Sequence, residues 1–242
     1  MDLSGKVAFI TGGTKGIGLG IARAMMNEGI SVAITGRNAA TTQEVAAQLN
    51  QEYGAPAKAL GVSSDVRSFE SQQQAVALAV SELGRIDYVI ANAGLGHFGS
   101  VEDLTIDQWK ETIDTNLSGP FYTLKATLDQ LIANKGYFIS ISSLAGTNFF
   151  AGGAAYNASK FGLTGFTQAA MLDLRKHEIR STTIMPGSVS TYFNNHIPNE
   201  EDGWKIQIED LGQIVVDLLK IHPRTLPSKI EVRPTVPPSA RK

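Results

Sequence analysis

The 242-residue chain contains no cysteine, four histidines and two tryptophans. Zero cysteines exclude disulfides and thiolate metal sites. The histidines, His97, His177, His196 and His222, are scattered without ligand-like spacing, so no metal is expected. An excess of charge of one sign is also missing. With 21 Lys and Arg against 23 Asp and Glu, a net charge of −2 gives no electrostatic reason to bind nucleic acid or an anionic membrane surface. No apolar run is long enough to span a bilayer, and the charged, glycine-rich start lacks a signal-peptide core. A cytoplasmic protein is the expectation. There is no internal repeat, and no Pro/Ser/Gly-rich linker interrupts the first 220 residues. At 43% hydrophobic and 18% charged, the composition suits one domain over residues 1–234, followed by a loose tail at 235–242.

What the chain does have is alternation. Apolar runs that read as strands lie near residues 6–11, 31–35, 57–62, 86–91, 137–142, 180–185 and 229–233. Helical stretches lie between them, near 17–28, 39–53, 69–83, 106–133, 154–177 and 209–221. This order predicts an α/β fold, a doubly wound parallel sheet of about seven strands with helices on both faces and right-handed crossovers. Ligands of such sheets gather at the carboxyl ends of the strands.

Two motifs carry chemistry. The run Val7-Ala8-Phe9-Ile10 flows into Thr11-Gly12-Gly13-Thr14-Lys15-Gly16-Ile17-Gly18 and then into a helix. Glycines at that turn let a pyrophosphate approach the helix N-terminus, where unpaired N–H groups and the dipole favour an anion. Downstream, Tyr156 and Lys160 stand four residues apart on a helix, which places a phenol beside an ammonium. A phenol of pKa ~10 needs roughly 4 kcal/mol of preference for the phenolate to reach about 7. At about 4.5 Å and an effective dielectric of about 20, one cation supplies roughly 3 to 4 kcal/mol. The lysine is therefore expected to depress the tyrosine pKa.

Together these motifs resemble the short-chain dehydrogenase/reductase family, whose signatures are Thr-Gly-x-x-x-Gly-x-Gly and Tyr-x-x-x-Lys. The resemblance continues in order through Asp65-Val66, Asn92-Ala93-Gly94, Asn116, Ser143 and the Pro186 to Thr191 turn. From about Tyr192 the chain departs from the commonest members and lacks their late Asp-Gly-Gly. The resemblance implies a single Rossmann-type domain with a substrate lid near 188–208, and a catalytic tetrad of Asn116, Ser143, Tyr156 and Lys160. Tyr156 would protonate the carbonyl oxygen and Ser143 would hold it. Lys160 would tune the phenol and grip the nicotinamide ribose, and Asn116 would bend its helix and position a water. By composition alone Ser140 and Ser142 rival Ser143; the thirteen-residue spacing to Tyr156 favours Ser143.

The same resemblance implies cofactor contacts at Gly12, Thr14, Lys15, Gly16, Ile17, Gly18, Arg37, Asn38, Asp65, Val66, Asn92, Ala93, Gly94, Pro186, Gly187, Val189 and Thr191, besides Tyr156 and Lys160. NAD sites of this kind place an acid about 20 residues after the glycine turn. Here Gly36-Arg37-Asn38 follows the second strand and no acid comes before Glu44. With Lys15 in the turn, NADP(H) is expected.

The expected activity is NADPH-dependent reduction of a small to medium, largely apolar ketone or aldehyde. A 3-oxoacyl thioester reductase and a dinucleotide-binding regulatory protein without turnover are the alternatives. Pocket-lining candidates are Gly96, His97 and Phe98, then Asn148, Phe149 and Phe150, and Ser188, Tyr192 and Phe193. The 106–133 and 154–177 helices carry an apolar surplus, Phe161, Phe166, Met171 and Leu172 included, and the family resemblance implies that such helices are buried in a dimer of dimers, so a homotetramer is expected.

Overall fold

The computed structural model describes residues 2–237 and 240. Seven strands form one sheet: β1 (Val7–Thr11), β2 (Ser31–Gly36), β3 (Ala59–Ser63), β4 (Tyr88–Ala91), β5 (Tyr137–Ile141), β6 (Arg180–Pro186) and β7 (Lys229–Val232). Their order is β3-β2-β1-β4-β5-β6-β7, and every pairing is parallel. The chain starts at the middle of the sheet, winds outward to β3, then returns to β4 and winds the other way. The reversal between β1 and β4 leaves a crevice at their carboxyl ends.

Strand side chains alternate between the two faces. On one face Ala8, Ile10, Val32, Ile34, Ile90 and Ile139 pack with α1 (Gly16–Asn27), α2 (Ala39–Tyr53) and α7 (Ile208–Lys220). On the other, Phe9, Ala33, Val89 and Phe138 pack with α3 (Phe69–Leu83), α5 (Gly119–Asn134) and α6 (Ala154–Leu174). α4 (Ile106–Ile113) precedes α5. α7 has the most segregated pattern: Leu211, Val215, Val216, Leu218 and Leu219 are buried, and each such side chain contributes roughly 1.5–3 kcal/mol. Its seam with α1 is made by glycine. A Cβ on Gly20 would stand 2.4 Å from the Ile208 carbonyl oxygen, and one on Gly212 would stand 2.6 Å from that of Gly20.

The expected helix over 106–133 is not continuous. Between α4 and α5 the chain widens into a π-helical turn, Asp114–Ser118. Pro120 explains the position, because its ring would clash with the carbonyl of Asn116 in a regular helix. The apolar surplus divides too. Phe161 and Leu172 are exposed, whereas Met171 is buried and Phe166 packs edge-on against Phe138 in the core. Of the expected tail at 235–242, residues 238, 239, 241 and 242 lie outside the described residues, and Thr235 and Val236 are exposed. Among the described residues no helix is long and apolar enough to cross a membrane.

Candidate active site at the switch point

The crevice opens into a cavity of about 1050 Å³ along the carboxyl ends of the strands. At its floor β1 runs into the glycine turn. A Cβ on Gly18 would stand 2.4 Å from the Gly12 carbonyl oxygen and 2.5 Å from Asn92 Nδ2, so only glycine lets the turn and β4 close together. Asn92 donates from Nδ2 to the carbonyls of Thr11 and Gly12 at 2.9 and 3.0 Å, tying the two sides of the switch point. The first turn of α1 has neither a side-chain cap nor an acid, leaving its N–H groups to face an anion. Lys15 and Arg37 border the same space, and Thr35 Oγ1 beside them is buried without a hydrogen-bond partner. An open anion cradle with two cations over a long cavity fits a phosphorylated dinucleotide.

Of the candidate cofactor residues, all but Gly18 line the cavity. Several are already engaged, Asn38 and Asp65 among them. Asn38 caps α2, accepting from the Thr41 N–H at 3.0 Å. Asp65 is clamped by the Arg67 guanidinium at 2.7 Å, which holds its carboxyl below the usual carboxylate range. Arg67 continues to Glu111 at 3.3 Å, and Glu111 to His97 Nε2 at 2.9 Å. His97 therefore lines the cavity but turns its ring toward α4. Sequence reasoning missed Arg67 and Glu111 because the fold, not any local spacing, brings α4 against the segment after β3.

The candidate tetrad sits deeper, on β5, α6 and the π turn. Ser143 follows β5 with extended backbone, accepts from the Ala145 N–H at 3.1 Å and donates from Oγ to the Pro186 carbonyl at 3.5 Å. Its rivals are committed elsewhere: Ser140 pairs with Thr167 at 2.8 Å, and Ser142 donates to the Lys160 carbonyl at 3.1 Å. Ser143, Tyr156 and Lys160 all line the cavity. Asn116 lies behind it, fully buried. It donates to the Leu95 carbonyl at 2.7 Å and to Ser159 Oγ at 3.0 Å, and accepts from the Leu95 N–H at 2.9 Å.

The electrostatics differ from the sequence expectation. Burial pushes the Tyr156 phenol above its ordinary pKa, opposed by the nearby Ser143 hydroxyl. The lysine is itself desolvated. Burial brings it down to about 8, and its Nζ donates to the Ile141 carbonyl at 2.9 Å. Its ammonium stands 5.7 Å from the centroid of the phenol ring. Desolvation outweighs attraction here, and Tyr156 is a neutral phenol.

Three phenylalanines from three loops stack around it. Phe98 lies 5.3 Å and Phe193 5.6 Å from the Tyr156 ring, centroid to centroid, and Phe150 backs Phe98 at 6.0 Å. Their loops are joined where the Gly99 N–H donates to the Gly152 carbonyl at 2.9 Å. Gly96, His97, Ser188, Tyr192 and Phe193 line the cavity. Phe98, Asn148, Phe149 and Phe150 do not; Phe149 is 87% exposed. The cluster that sequence reasoning did not see is Asp202 with Ser190, His196 and Lys205, of which His196 and Lys205 reach the cavity wall. Apart from charge, these residues have no periodic signal.

The family model described as short chain dehydrogenase matches residues 6–202. Trans-4-hydroxycyclohexanecarboxylate dehydrogenase of Sinomonas cyclohexanicum is 37% identical over 217 residues, covering 85% of this chain and 83% of its own. Among solved structures, an alcohol dehydrogenase from the archaeon Thermococcus sibiricus, complexed with 5-hydroxy-NADP, superposes with a TM-score of 0.89 at 29% identity, covering 95% of this chain and 97% of that one. A metagenomic short-chain oxidoreductase in complex with NADP gives 0.83 at 32% identity, over 98% and 100% of the two chains. The all-parallel sheet, the glycine turn at its switch point and these matches agree, and the chain belongs to the short chain dehydrogenase family of oxidoreductases.

Proposed function

We propose that this oxidoreductase reduces a small to medium, largely apolar ketone or aldehyde to its alcohol, reversibly and with NADPH. The observation that carries the reading is a buried, neutral Tyr156 phenol that lines, with Ser143 and Lys160, the same cavity as Lys15 and Arg37. One domain over 1–234, with 188–208 as its lid, does the work. The NADP complexes of two similar structures support the cofactor. So does the absence of an acid between Gly36 and Glu44. A dehydrogenase named for a hydroxycyclohexanecarboxylate supports a compact ring-sized substrate.

Lys15, Arg37 and the α1 N-terminus hold the phosphates of the dinucleotide, and Lys160 its nicotinamide ribose. When bound, the reduced nicotinamide supplies the hydride. Tyr156 gives its proton to the carbonyl oxygen, while the Ser143 hydroxyl donates a second hydrogen bond to that oxygen and fixes its place. Phe98 and Phe193 exclude water from the phenol and offer apolar walls. Asn116 secures the loop carrying Leu95 and Phe98. The exposed Phe121 and Phe161 support a homotetramer.

The test compares kcat/KM for NADPH and NADH, then for aryl ketones, α-diketones and aldehydes against acetoacetyl-coenzyme A. Two charge-assisted bonds to a 2′-phosphate contribute about 1.5–3 kcal/mol each, roughly 10- to 150-fold apiece. NADPH should win in the wild type, and Arg37→Glu should erode that preference; a wild type preferring NADH overturns the cofactor assignment. Tyr156→Phe should lower turnover by at least about 10²-fold with cofactor binding retained. A tenfold advantage for the thioester would move the assignment to a 3-oxoacyl thioester reductase.

A further inference from the structure

The chain between β6 and α7 has little regular structure, yet it delivers Phe193 onto the Tyr156 ring. Phe193 also meets Phe98 edge-on at 6.1 Å and covers Gly96, where a Cβ would stand 2.7 Å from its Cζ. Something must hold so irregular a loop in that place. At its base Ser190 donates its N–H to the Ile206 carbonyl at 2.9 Å, and Ile206 donates to Ser188 at 3.1 Å. Between these points Asn194 and Asn195 adopt left-handed backbone, with φ of 54° and 60°, and fold the chain back on itself.

The returning strand of the loop converges on one carboxylate. Asp202 is 3% exposed. Its Oδ2 accepts from Ser190 Oγ at 3.0 Å and lies 2.5 Å from His196 Nε2, while its Oδ1 lies 2.5 Å from Lys205 Nζ. Its backbone carbonyl accepts from the Lys205 N–H at 2.8 Å and from Gln207 Nε2 at 3.2 Å. The entrance, the tip and the exit of the loop are thus gathered by a single residue. The hydrogen bonds from Lys205, His196 and Ser190 hold its carboxyl far below the ordinary range.

We propose that Asp202 is a positioning residue for catalysis: by gathering Ser190, His196 and Lys205 it fixes the loop so that Phe193 walls the substrate pocket against Tyr156 and Phe98. The inference rests on the reading of Tyr156 as the proton donor of that pocket. It adds that the pocket wall is held by charge from outside the cavity. Because Lys205 is matched to Asp202, the lysine is a structural cation at the cavity rim and no spare charge for an anionic substrate.

Two measurements on the full chain test this. Hydrogen–deuterium exchange at the amides of residues 191–198 should quicken at least ~10-fold in Asp202→Asn, with the sheet amides unchanged, because a loop stripped of its carboxylate opens locally. In steady state the same variant should raise KM for the carbonyl substrate about 10-fold with kcat within about 3-fold and KM for NADPH unchanged, as expected for a lost binding wall with intact chemistry. Adding Asp202→Asn to Phe193→Ala should then raise KM no further, since both remove the same wall. Unchanged exchange at 191–198 in folded Asp202→Asn overturns the proposal, and so does a KM increase additive with that of Phe193→Ala. Should Asp202→Asn fail to fold, His196→Ala, which removes one half-exposed spoke, carries the test: exchange there should rise at least about threefold, and no change overturns it. The exchange arm needs no turnover, so a failure of the reductase assignment and a failure of the hub are read separately.

Discussion

Lys160 is buried among carbonyls, and that shapes how the molecule responds to pH. Its folded pKa of about 8 lies below the ordinary 10.5, so between these values the unfolded chain binds more protons than the folded one. Stability contributed at this site therefore rises as pH rises through the window and is lowest where the ammonium is fully charged. At 1.36 kcal/mol per unit the whole span is about 3 kcal/mol, of which roughly 2 kcal/mol develops between pH 7 and 10. Urea unfolding of the cofactor-free enzyme beside Lys160→Met should show that difference growing in favour of the wild type over this range. A pH-independent difference would mean that the lysine is not desolvated. Tyr156 has the opposite sign. With its pKa raised by burial, folding loses this contribution only above the phenol's ordinary value of 10.0, so the phenol stays protonated across neutral pH. None of this was visible in Tyr-x-x-x-Lys. Spacing predicted adjacency, but burial, which decided the sign, depends on what α6 packs against.

At the scale of elements, the alternation of apolar runs and helical stretches predicted all seven strands and the boundaries of α2 and α3. That worked best for β1, β4 and β5, which are buried along their whole length and read as near-continuous apolar runs, whereas the edge strand β7 alternates exposed and half-buried residues. The apolar pattern alone ran through the break between α4 and α5, which the resemblance had implied at Asn116 and which Ser118-Gly119-Pro120 also signalled. The apolar pattern continues through the break because both helices use the same side of the sheet. Asn116 exploits that widened turn, spending its whole amide on the backbone of Leu95 and on Ser159. Asn116→Ala leaves both Leu95 backbone groups without these partners, at a cost of about 1–3 kcal/mol for each buried group orphaned. The expected outcome is a lower thermal midpoint together with faster exchange at Leu95 and Gly96. A variant with unaltered stability would show that water replaces the amide. The links from His97 to Glu111 and from His196 to Asp202 were illegible for a different reason. They join loops whose course is set by the sheet, and no local period foretells them.

For the whole molecule, the outer surface of α5 and α6 bears Phe121, Phe161 and Leu172, at 48, 42 and 56% exposure, in addition to what the core uses. Exposed aromatics clustered on two neighbouring helices favour a symmetric interface. Light scattering at micromolar concentration should give about four times the 25.9 kDa of one chain. Phe121→Asp should shift that mass downward, whereas a monomeric wild type would leave these rings without a partner. The sequence indicated the surplus but not its members: Met171 and Phe166 face inward, because their neighbours on α6 present them to β5 and to the core.

The glycine seam between α1 and α7 has one more implication. With Gly20 and Gly212 bringing backbone against backbone, the helix that starts at the anion cradle and the helix that starts where the lid ends cannot slide past each other. The proposed lid would thereby be anchored at its far end to the same body that forms the anion cradle. Its movement would then be a bending of residues 188–207 about fixed posts, like a bail handle on its two rivets, and not a swing of one half of the molecule against the other.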